Sequence, residues 1–155
     1  MLNRIHQPAI FFSRMVRHSR RTGSASADFA GALSNLGLLL LRQGKYADAE
    51  PVLRECLTIR EKNAAGSWVR FNTASQLGES LLGQGRYAES EPLLRAGFEG
   101  LKARETDIPA LDRARFAEAA DRLARLCEAT GRPAEAAKWR AERAKYAPRP
   151  PMEAK

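Results

Sequence analysis

The stretch LRQGKYADAEPVLR at residues 41–54 returns almost unchanged as LGQGRYAESEPLLR at residues 82–95. The two copies lie 41 residues apart, and a third, degenerate copy that begins near Arg115 follows at a spacing of 46. Self-similarity at a period of about 20–50 residues is the signature of stacked structural units, each too small to bury its apolar face alone. The sequence therefore predicts a repeat architecture.

Each copy has the pattern of a helix, a turn and a second helix. Apolar residues recur at helical spacing up to Gly44, and glycine ends a helix readily because it adopts the left-handed conformation without a side-chain penalty. A second apolar pattern follows this turn. Pro51 falls close to the end of the first turn of that pattern, where its missing N–H has no helical partner. We therefore expect the second helices to begin around Tyr46 and Tyr87.

These units predict an all-α fold, an α-α superhelix or solenoid of about three helix-turn-helix repeats. The repeats are expected at about residues 30–63, 71–104 and 113–145. They lie within a predicted domain that spans residues 28–147 and is followed by a flexible tail at residues 148–155. Residues 1–27 hold five arginines and no acid, which accounts for five of the eight net positive charges. We expect a basic flexible leader there.

The repeated residues resemble the tetratricopeptide repeat, whose signature is a Leu-Gly pair, a Gly-x-Tyr turn, a small residue after the Tyr and then a large apolar residue. The first copy has Leu36-Gly37, Gly44-Lys45-Tyr46, Ala49 and Leu53, and the second has Leu77-Gly78, Gly85-Arg86-Tyr87, Ser90 and Leu94. The third copy keeps Leu123, Gly131 and Ala136 but has Pro133 and Arg140 in place of the Tyr and the large apolar residue. The long period resembles the kinesin-light-chain type of repeat. The residues of the repeated motif resemble those of repeat arrays attached to bacterial serine/threonine kinases.

The resemblance implies a non-enzymatic protein–protein interaction module that holds a peptide or a partner protein in a concave groove lined by the first helices. It places these residues in that groove: Ser34, Leu38, Leu41, Arg42, Asn72, Ser75, Glu79, Leu82, Asp121, Arg125 and Glu128. Some members clamp a peptide carboxylate with Asn and Lys where this chain has Ser34 and Leu38, so that clamp is absent. With leucine at positions 38, 41 and 82, an extended or helical peptide with apolar anchors fits best.

An alternative is that the chain is a C-terminal scaffold or regulatory segment of a larger signalling protein such as a bacterial serine/threonine kinase. Further repeats or a kinase domain would then lie upstream. The chain itself carries no glycine-rich nucleotide loop and no HRD or DFG kinase motif.

No catalytic or metal-binding constellation is evident in the sequence, because both histidines, His6 and His18, lie in the leader. Cys56 and Cys127 are expected to be buried packing residues. We therefore expect no enzymatic activity, no cofactor and no small-molecule substrate. Five arginines without a folded basic face argue against nucleic-acid binding. No apolar run approaches the roughly 18 residues of a membrane span, and we expect a cytoplasmic protein.

The two ends of the array differ. The last helical pattern, PAEAAKWRAERAKY, is polar and would cap the array, with Trp139 laid back over the preceding helices. The stretch LGLLLL at residues 36–41 is apolar on nearly every side, and Leu38 and Leu39 fall outside the stripe that its own unit would bury. We infer that another repeat once covered this helix, which makes the chain the closing segment of a longer array. Alternatively, residues 4–16 form a short helix over it.

Overall fold

The computed structural model describes residues 27–146, which form helices joined by turns, without a strand in that range. The α-helices are α1 (Ala27–Arg42), α2 (Tyr46–Asn63), α3 (Trp68–Gly83), α4 (Tyr87–Lys102), α5 (Ala114–Ala129) and α6 (Pro133–Lys145). Two single-turn 3-10 helices, Glu105–Asp107 and Ala110–Asp112, lie between α4 and α5. The all-α prediction is confirmed. The predicted leader before Ala27, with both histidines and residues 4–16, and the predicted tail lie outside the described residues.

Successive helices pack in pairs, α1 with α2, α3 with α4 and α5 with α6. Each pair packs on the next through neighbouring helices, and α3 also contacts both α1 and α5. The first helices of the three pairs therefore follow one another along one side of the array. The second helices, α2, α4 and α6, form the other side. This arrangement is the predicted solenoid of helix-turn-helix units.

Each first helix ends just before a glycine in the left-handed conformation. Gly44, Gly85 and Gly131 have φ angles of 70°, 75° and 70°. At the first of these turns the Lys45 amide donates to the Leu40 carbonyl at 2.9 Å, which closes the hydrogen-bond pattern of a Schellman motif. The other two turns close in the same way. Because a residue with a Cβ is strained in this conformation, the glycines fix where α1, α3 and α5 end.

The second helices begin at Tyr46 and Tyr87, as predicted. The predicted placement of the prolines is wrong, because Pro51 and Pro92 lie inside α2 and α4, beyond the first turn. A proline at such a position removes one helical hydrogen bond. The carbonyl groups that lose their partners, four residues earlier, belong to exposed alanines. Water can therefore take the place of the missing N–H groups.

Glycines also let the two helices of one pair approach closely. A Cβ added at Gly37 would lie 2.5 Å from Leu53 Cδ2, and one at Gly78 would lie 2.6 Å from Leu94 Cδ2. Both leucines are fully buried. The hydroxyl of the buried Ser90 donates a hydrogen bond to the Gly78 carbonyl at 2.7 Å. The Leu-Gly pairs are thus points where the helices of a pair cross, as predicted.

Aromatic side chains close the C-terminal end of the array. Trp139 of α6 meets Phe98 of α4 edge to face, with ring centroids 5.0 Å apart. Tyr146 stacks on Phe116 of α5, with ring centroids 4.6 Å apart. Within α6 only Ala136 is buried, so the outer face of this helix stays polar. Trp139 therefore lies back over the preceding helices, as predicted.

Candidate functional site

One repeat position stays accessible in all three helix pairs. It is occupied by Leu38 in α1, Glu79 in α3 and Arg125 in α5, at the repeat spacings of 41 and 46 residues. All three residues are partly exposed, on helices that follow one another along the array. We call Leu38, Glu79 and Arg125 the inner row. It presents, in order, an apolar surface, an acid and a base.

Glu79 and Arg125 form a charged network with Arg122. The Glu79 carboxylate accepts a hydrogen bond from Arg122 Nε at 2.5 Å and another from Arg125 Nη1 at 3.0 Å. Burial by itself raises the pKa of Glu79, but the two guanidinium groups outweigh burial and hold the pKa below its usual value. At neutral pH the Glu79 carboxylate therefore lies between two cations. Arg122 also pairs with Glu118 at 3.8 Å, and Glu118 pairs with Arg115 at 3.0 Å, so the three arginines and two carboxylates together carry one net positive charge.

Arg125 is the accessible end of this network. Its side chain is 41% exposed, whereas that of Arg122 is 5% exposed. Arg122 also donates to the buried Ser75 hydroxyl at 3.2 Å, so its hydrogen-bonding capacity is used inside the array. A guanidinium group carries five N–H donors. Arg125 also forms a side-chain hydrogen bond with Tyr46. Its remaining donors can bind a carboxylate of an incoming molecule.

Ser34 and Arg42, two more of the predicted groove residues, flank Leu38 on α1. Ser34 is half-buried, and its hydroxyl donates to Gln76 Oε1 of α3 at 3.3 Å. Arg42 is exposed in the last turn of α1, where the negative end of the helix dipole stabilises a cation. The accessible surface around Leu38 is therefore polar at both of its edges.

A comparison with protein-family models matches residues 28–103 to the tetratricopeptide repeat. The chain is a tetratricopeptide repeat protein. The matched residues span α1 to α4, and the third pair of this tetratricopeptide repeat protein continues the same packing of helix on helix. A comparison with curated proteins found no match. Tetratricopeptide repeats are generally protein–protein interaction modules, so the surfaces that matter are those that can receive another polypeptide.

Several predicted groove residues lie in the interior of this tetratricopeptide repeat protein. The buried ones are Leu41, Asn72, Ser75 and Leu82. Leu41, 5% exposed, belongs to a core cluster with Leu53. Leu82, 7% exposed, belongs to another cluster with Phe98. Of the three leucines expected as apolar anchors, Leu38 is the accessible one, because the other two fill the contacts between helices.

Asp121 and Glu128, the remaining predicted groove residues, pair with α6. Asp121 Oδ1 accepts a hydrogen bond from Arg143 Nη1 at 2.7 Å. Glu128 forms an ion pair with Arg140. Both acids therefore pair with arginines of α6, although they lie four residues before and three residues after Arg125 and so flank it on one face of α5.

Arg122 was not among the residues predicted from the sequence. It is 4% exposed and binds an acid that lies 43 residues earlier in the chain. A basic residue among the apolar positions of α5 was the available signal, and it did not identify the partner. Asn72 was predicted, but its buried Oδ1 atom has no hydrogen-bond partner among residues 27–146.

A second concave region lies between the second helices α4 and α6. It has a volume of about 430 Å³ and is lined by Arg95, Phe98, Lys102, Glu135, Lys138, Trp139 and Glu142. Most of these charges are already paired. Lys102 binds Glu142 at 3.2 Å. Arg95 binds Glu135 at 3.2 Å. Little charge is left in this region to select a ligand.

The described residues 27–146 hold two free thiols and no metal-binding cluster of His, Cys, Asp and Glu. Cys56 and Cys127 are buried, as predicted, and burial raises the pKa of both thiols. A thiol with a raised pKa stays protonated at neutral pH and is a poor nucleophile. In the same range no helix is long and apolar enough to cross a bilayer.

Proposed function

We propose that this tetratricopeptide repeat protein is a non-enzymatic cytoplasmic interaction module that binds a peptide segment of a partner protein across the inner row. The observation that carries this function is the accessibility of one repeat position in three successive pairs. The preceding position, Gly37, Gly78 and Ala124, is buried in every unit, as packing requires. An accessible row with different chemistry at each step is suited to reading a sequence.

The inner row sets the length of the bound segment. Neighbouring helices pack at about 8–10 Å between axes, so the two steps from Leu38 to Arg125 span about 20 Å. An extended chain advances about 3.3 Å per residue, and about six residues cover that distance. A longer segment would have to leave the row at one of its ends.

The chemistry of the row determines what the two ends of the segment carry. Leu38 offers apolar surface, and burial of such surface contributes about 25 cal/mol per Å². Arg125 offers donors to a carboxylate within a network whose net charge is positive. Glu79 lies between Leu38 and Arg125, and its negative charge disfavours an acidic residue in the middle of the bound segment. We therefore expect a partner segment with an apolar residue and, about six residues away, an aspartate or glutamate.

The alternative role, a scaffold or regulatory segment of a larger signalling protein such as a bacterial serine/threonine kinase, stays a prediction. The family match supports a protein-binding role in either setting. In the alternative setting the inner row would bind a segment of a substrate or regulator of the larger protein.

A displayed library of random peptides of about nine residues, selected on the immobilised 155-residue chain, tests the inner row. Enriched peptides should combine an apolar residue with an acid about six positions away. Fluorescence anisotropy with an enriched peptide should then show binding about tenfold weaker for Leu38→Asp and for Arg125→Ala.

Ala88→Asp and Arg113→Ala are matched controls, because both residues are exposed and lie outside the inner row. Both control variants should bind the peptide as the unchanged protein does. Thermal melts followed by circular dichroism check that all four variants keep the fold. Equal binding by the inner-row and control variants, or enriched peptides without the expected pair of residues, would refute the inner row as the binding surface.

A further inference from the structure

Three positions of the first helix are buried in both the second and the third unit. They are Thr73, Gln76 and Ser80 in α3, and Ala119, Arg122 and Leu126 in α5, each at most 4% exposed. Hydrogen bonds of Gln76 and Arg122 cross to the preceding pair. Gln76 accepts a hydrogen bond from Ser34 of α1. Arg122 donates one to Glu79 of α3. These positions form the contact between successive units.

The equivalent positions of α1 are exposed. Ala32, Asn35 and Leu39 stand at the same places in the first repeat, and Leu39 is 52% exposed. Because α2 is packed on α1, the second helix of a unit does not cover these positions. The burial of their counterparts in α3 and α5 therefore comes from a preceding helix pair. We call Ala32, Asn35 and Leu39 the stacking face.

Ion pairs connect each unit to the next along the other side of the array. Glu50 of α2 binds Arg86, in the turn before α4, at 2.7 Å. Glu91 of α4 binds Arg132, in the turn before α6, at 2.9 Å. We call these two pairs the ladder. Lys45 holds the same turn position in the first unit, is exposed and forms no ion pair within residues 27–146. It is a cation at the place where other units bind a glutamate from the preceding pair.

Neither the last helix nor the residues before the array supply the missing acid. Ala137 of α6 stands where α2 and α4 carry the ladder glutamates. A second copy stacked end to end would therefore meet Lys45 without a carboxylate. Residues 1–26 contain no acid either.

We propose that the stacking face, together with Lys45, docks a further helix pair whose second helix carries a glutamate at the ladder position. Two contacts of the same kind already exist in the array, between the first and second units and between the second and third. The positive charge of Lys45 favours a helix pair that carries a glutamate at the ladder position. The stacking face is a second surface, and it does not depend on peptide binding at the inner row.

The 155-residue chain with a duplicate of residues 27–67 inserted directly before Ala27 tests this docking. The insertion places the duplicate Glu50 at 36 residues before Lys45, the separation of Glu50 from Arg86, and it presents the helix pair at high effective concentration. Amide hydrogen exchange in the original residues 32–42, not in their duplicate, should slow about tenfold relative to the protein without the insertion. Glu50→Gln in the duplicate should make this exchange about twofold to fivefold faster again, because it removes the ion pair with Lys45. Adding Lys45→Met in the original unit should then cause no further increase in the exchange rate.

Unchanged exchange of residues 32–42 after the insertion would overturn the docking proposal. Two measurements on the chain without the insertion address other occupants. A dimer in sedimentation velocity that Leu39→Asp dissolves would overturn the proposal in favour of a second copy. Faster exchange of residues 32–42 in a Phe11→Ser/Phe12→Ser variant would overturn it in favour of the chain's own residues 4–16. Peptide binding is measured separately, so failure at the inner row is distinguishable from failure at the stacking face.

Discussion

Alanine at Gly37 tests the helix contact on which each repeat depends, and Gly31 on the same helix is a matched control. A Cβ at Gly37 would lie 2.5 Å from Cδ2 and 2.8 Å from Cγ of Leu53. A Cβ at Gly31 would have no neighbouring atom within 4 Å. Because Leu53 is fully buried, it has little room to move. The steric clash therefore acts at one of the two positions and not at the other.

The expected difference in stability follows from that clash. In a helix interior alanine is favoured over glycine by about 1 kcal/mol, and this gain applies at both positions. Overpacking of a close contact costs about 1–3 kcal/mol. Gly31→Ala should therefore raise the free energy of unfolding by up to about 1 kcal/mol. The free energy of unfolding of the Gly37→Ala variant should be about 1–3 kcal/mol lower than that of the Gly31→Ala variant.

Thermal unfolding followed by circular dichroism measures this difference. For a domain of this size, 1 kcal/mol shifts Tm by about 3–4 °C, so the two variants should differ by about 3–12 °C. Gly37→Leu, with a larger side chain, should lower Tm further. Adding Leu53→Ala to Gly37→Ala should show a favourable coupling energy, because it removes the clash. Equal melting temperatures for the two alanine variants would refute the assigned contact.

The Glu79 network and the two thiols give further tests. Arg122→Met should lower the free energy of unfolding by about 2–3 kcal/mol, because it leaves the Glu79 carboxylate with one cation fewer. Urea unfolding should show recovery on adding Glu79→Gln, and no loss in the single variant would contradict the network. The native pKa of Glu79 is lowered, so Glu79 stabilises the fold above its unfolded pKa of about 4.3. That contribution is lost as the pH falls through the native pKa, and Glu79→Gln should therefore flatten part of the acid decline in stability. If Glu79→Gln leaves the dependence of stability on pH unchanged, the lowered pKa of Glu79 does not contribute to stability. Ellman's reagent should not modify Cys56 or Cys127 in the native protein at neutral pH and should label both in urea, since both are buried with raised pKa values; rapid native labelling would be inconsistent with that burial.

Helix boundaries and intra-pair contacts were predictable from the sequence because local chemistry determines them. Gly44 and Gly85 occupy left-handed turns that glycine adopts without strain. The helices after them begin at the tyrosines that follow each turn. Gly37 meets Leu53 within one unit, and the repeated spacing of such pairs indicates the crossing point. Each of these features depends on residues of a single repeat.

Exposure along the first helices was less predictable, because it depends on how one pair is rotated against the next. The repeat spacing shows which positions are equivalent, but it does not show which way they face. Leu41 and Leu82 were expected in the groove and instead fill the core. Arg122 could not be assigned to Glu79, since its partner is fixed by the packing of α5 on α3.

The connection before the third pair explains its different spacing. The repeat spacing rises from 41 to 46 residues between the second and third copies. The additional residues fold into the 3-10 helices Glu105–Asp107 and Ala110–Asp112. Ile108 lies between them and is 4% exposed, in the same core cluster as Phe116 of α5. The longer connection is therefore anchored in the core, and the third pair keeps its place in the stack.

Leu38 and Leu39 show how one helix serves two surfaces. Adjacent residues of a helix point about 100° apart. The counterparts of Leu38 in α3 and α5 stay accessible although a pair precedes them, whereas the counterparts of Leu39 become buried. Docking of a further pair would therefore cover Leu39 and leave the inner row open. The docked pair would add its own residue at the equivalent position, lengthening the row by about 10 Å. That extension corresponds to about three more residues of an extended partner segment, so docking at the stacking face would increase the length of sequence that the inner row can read.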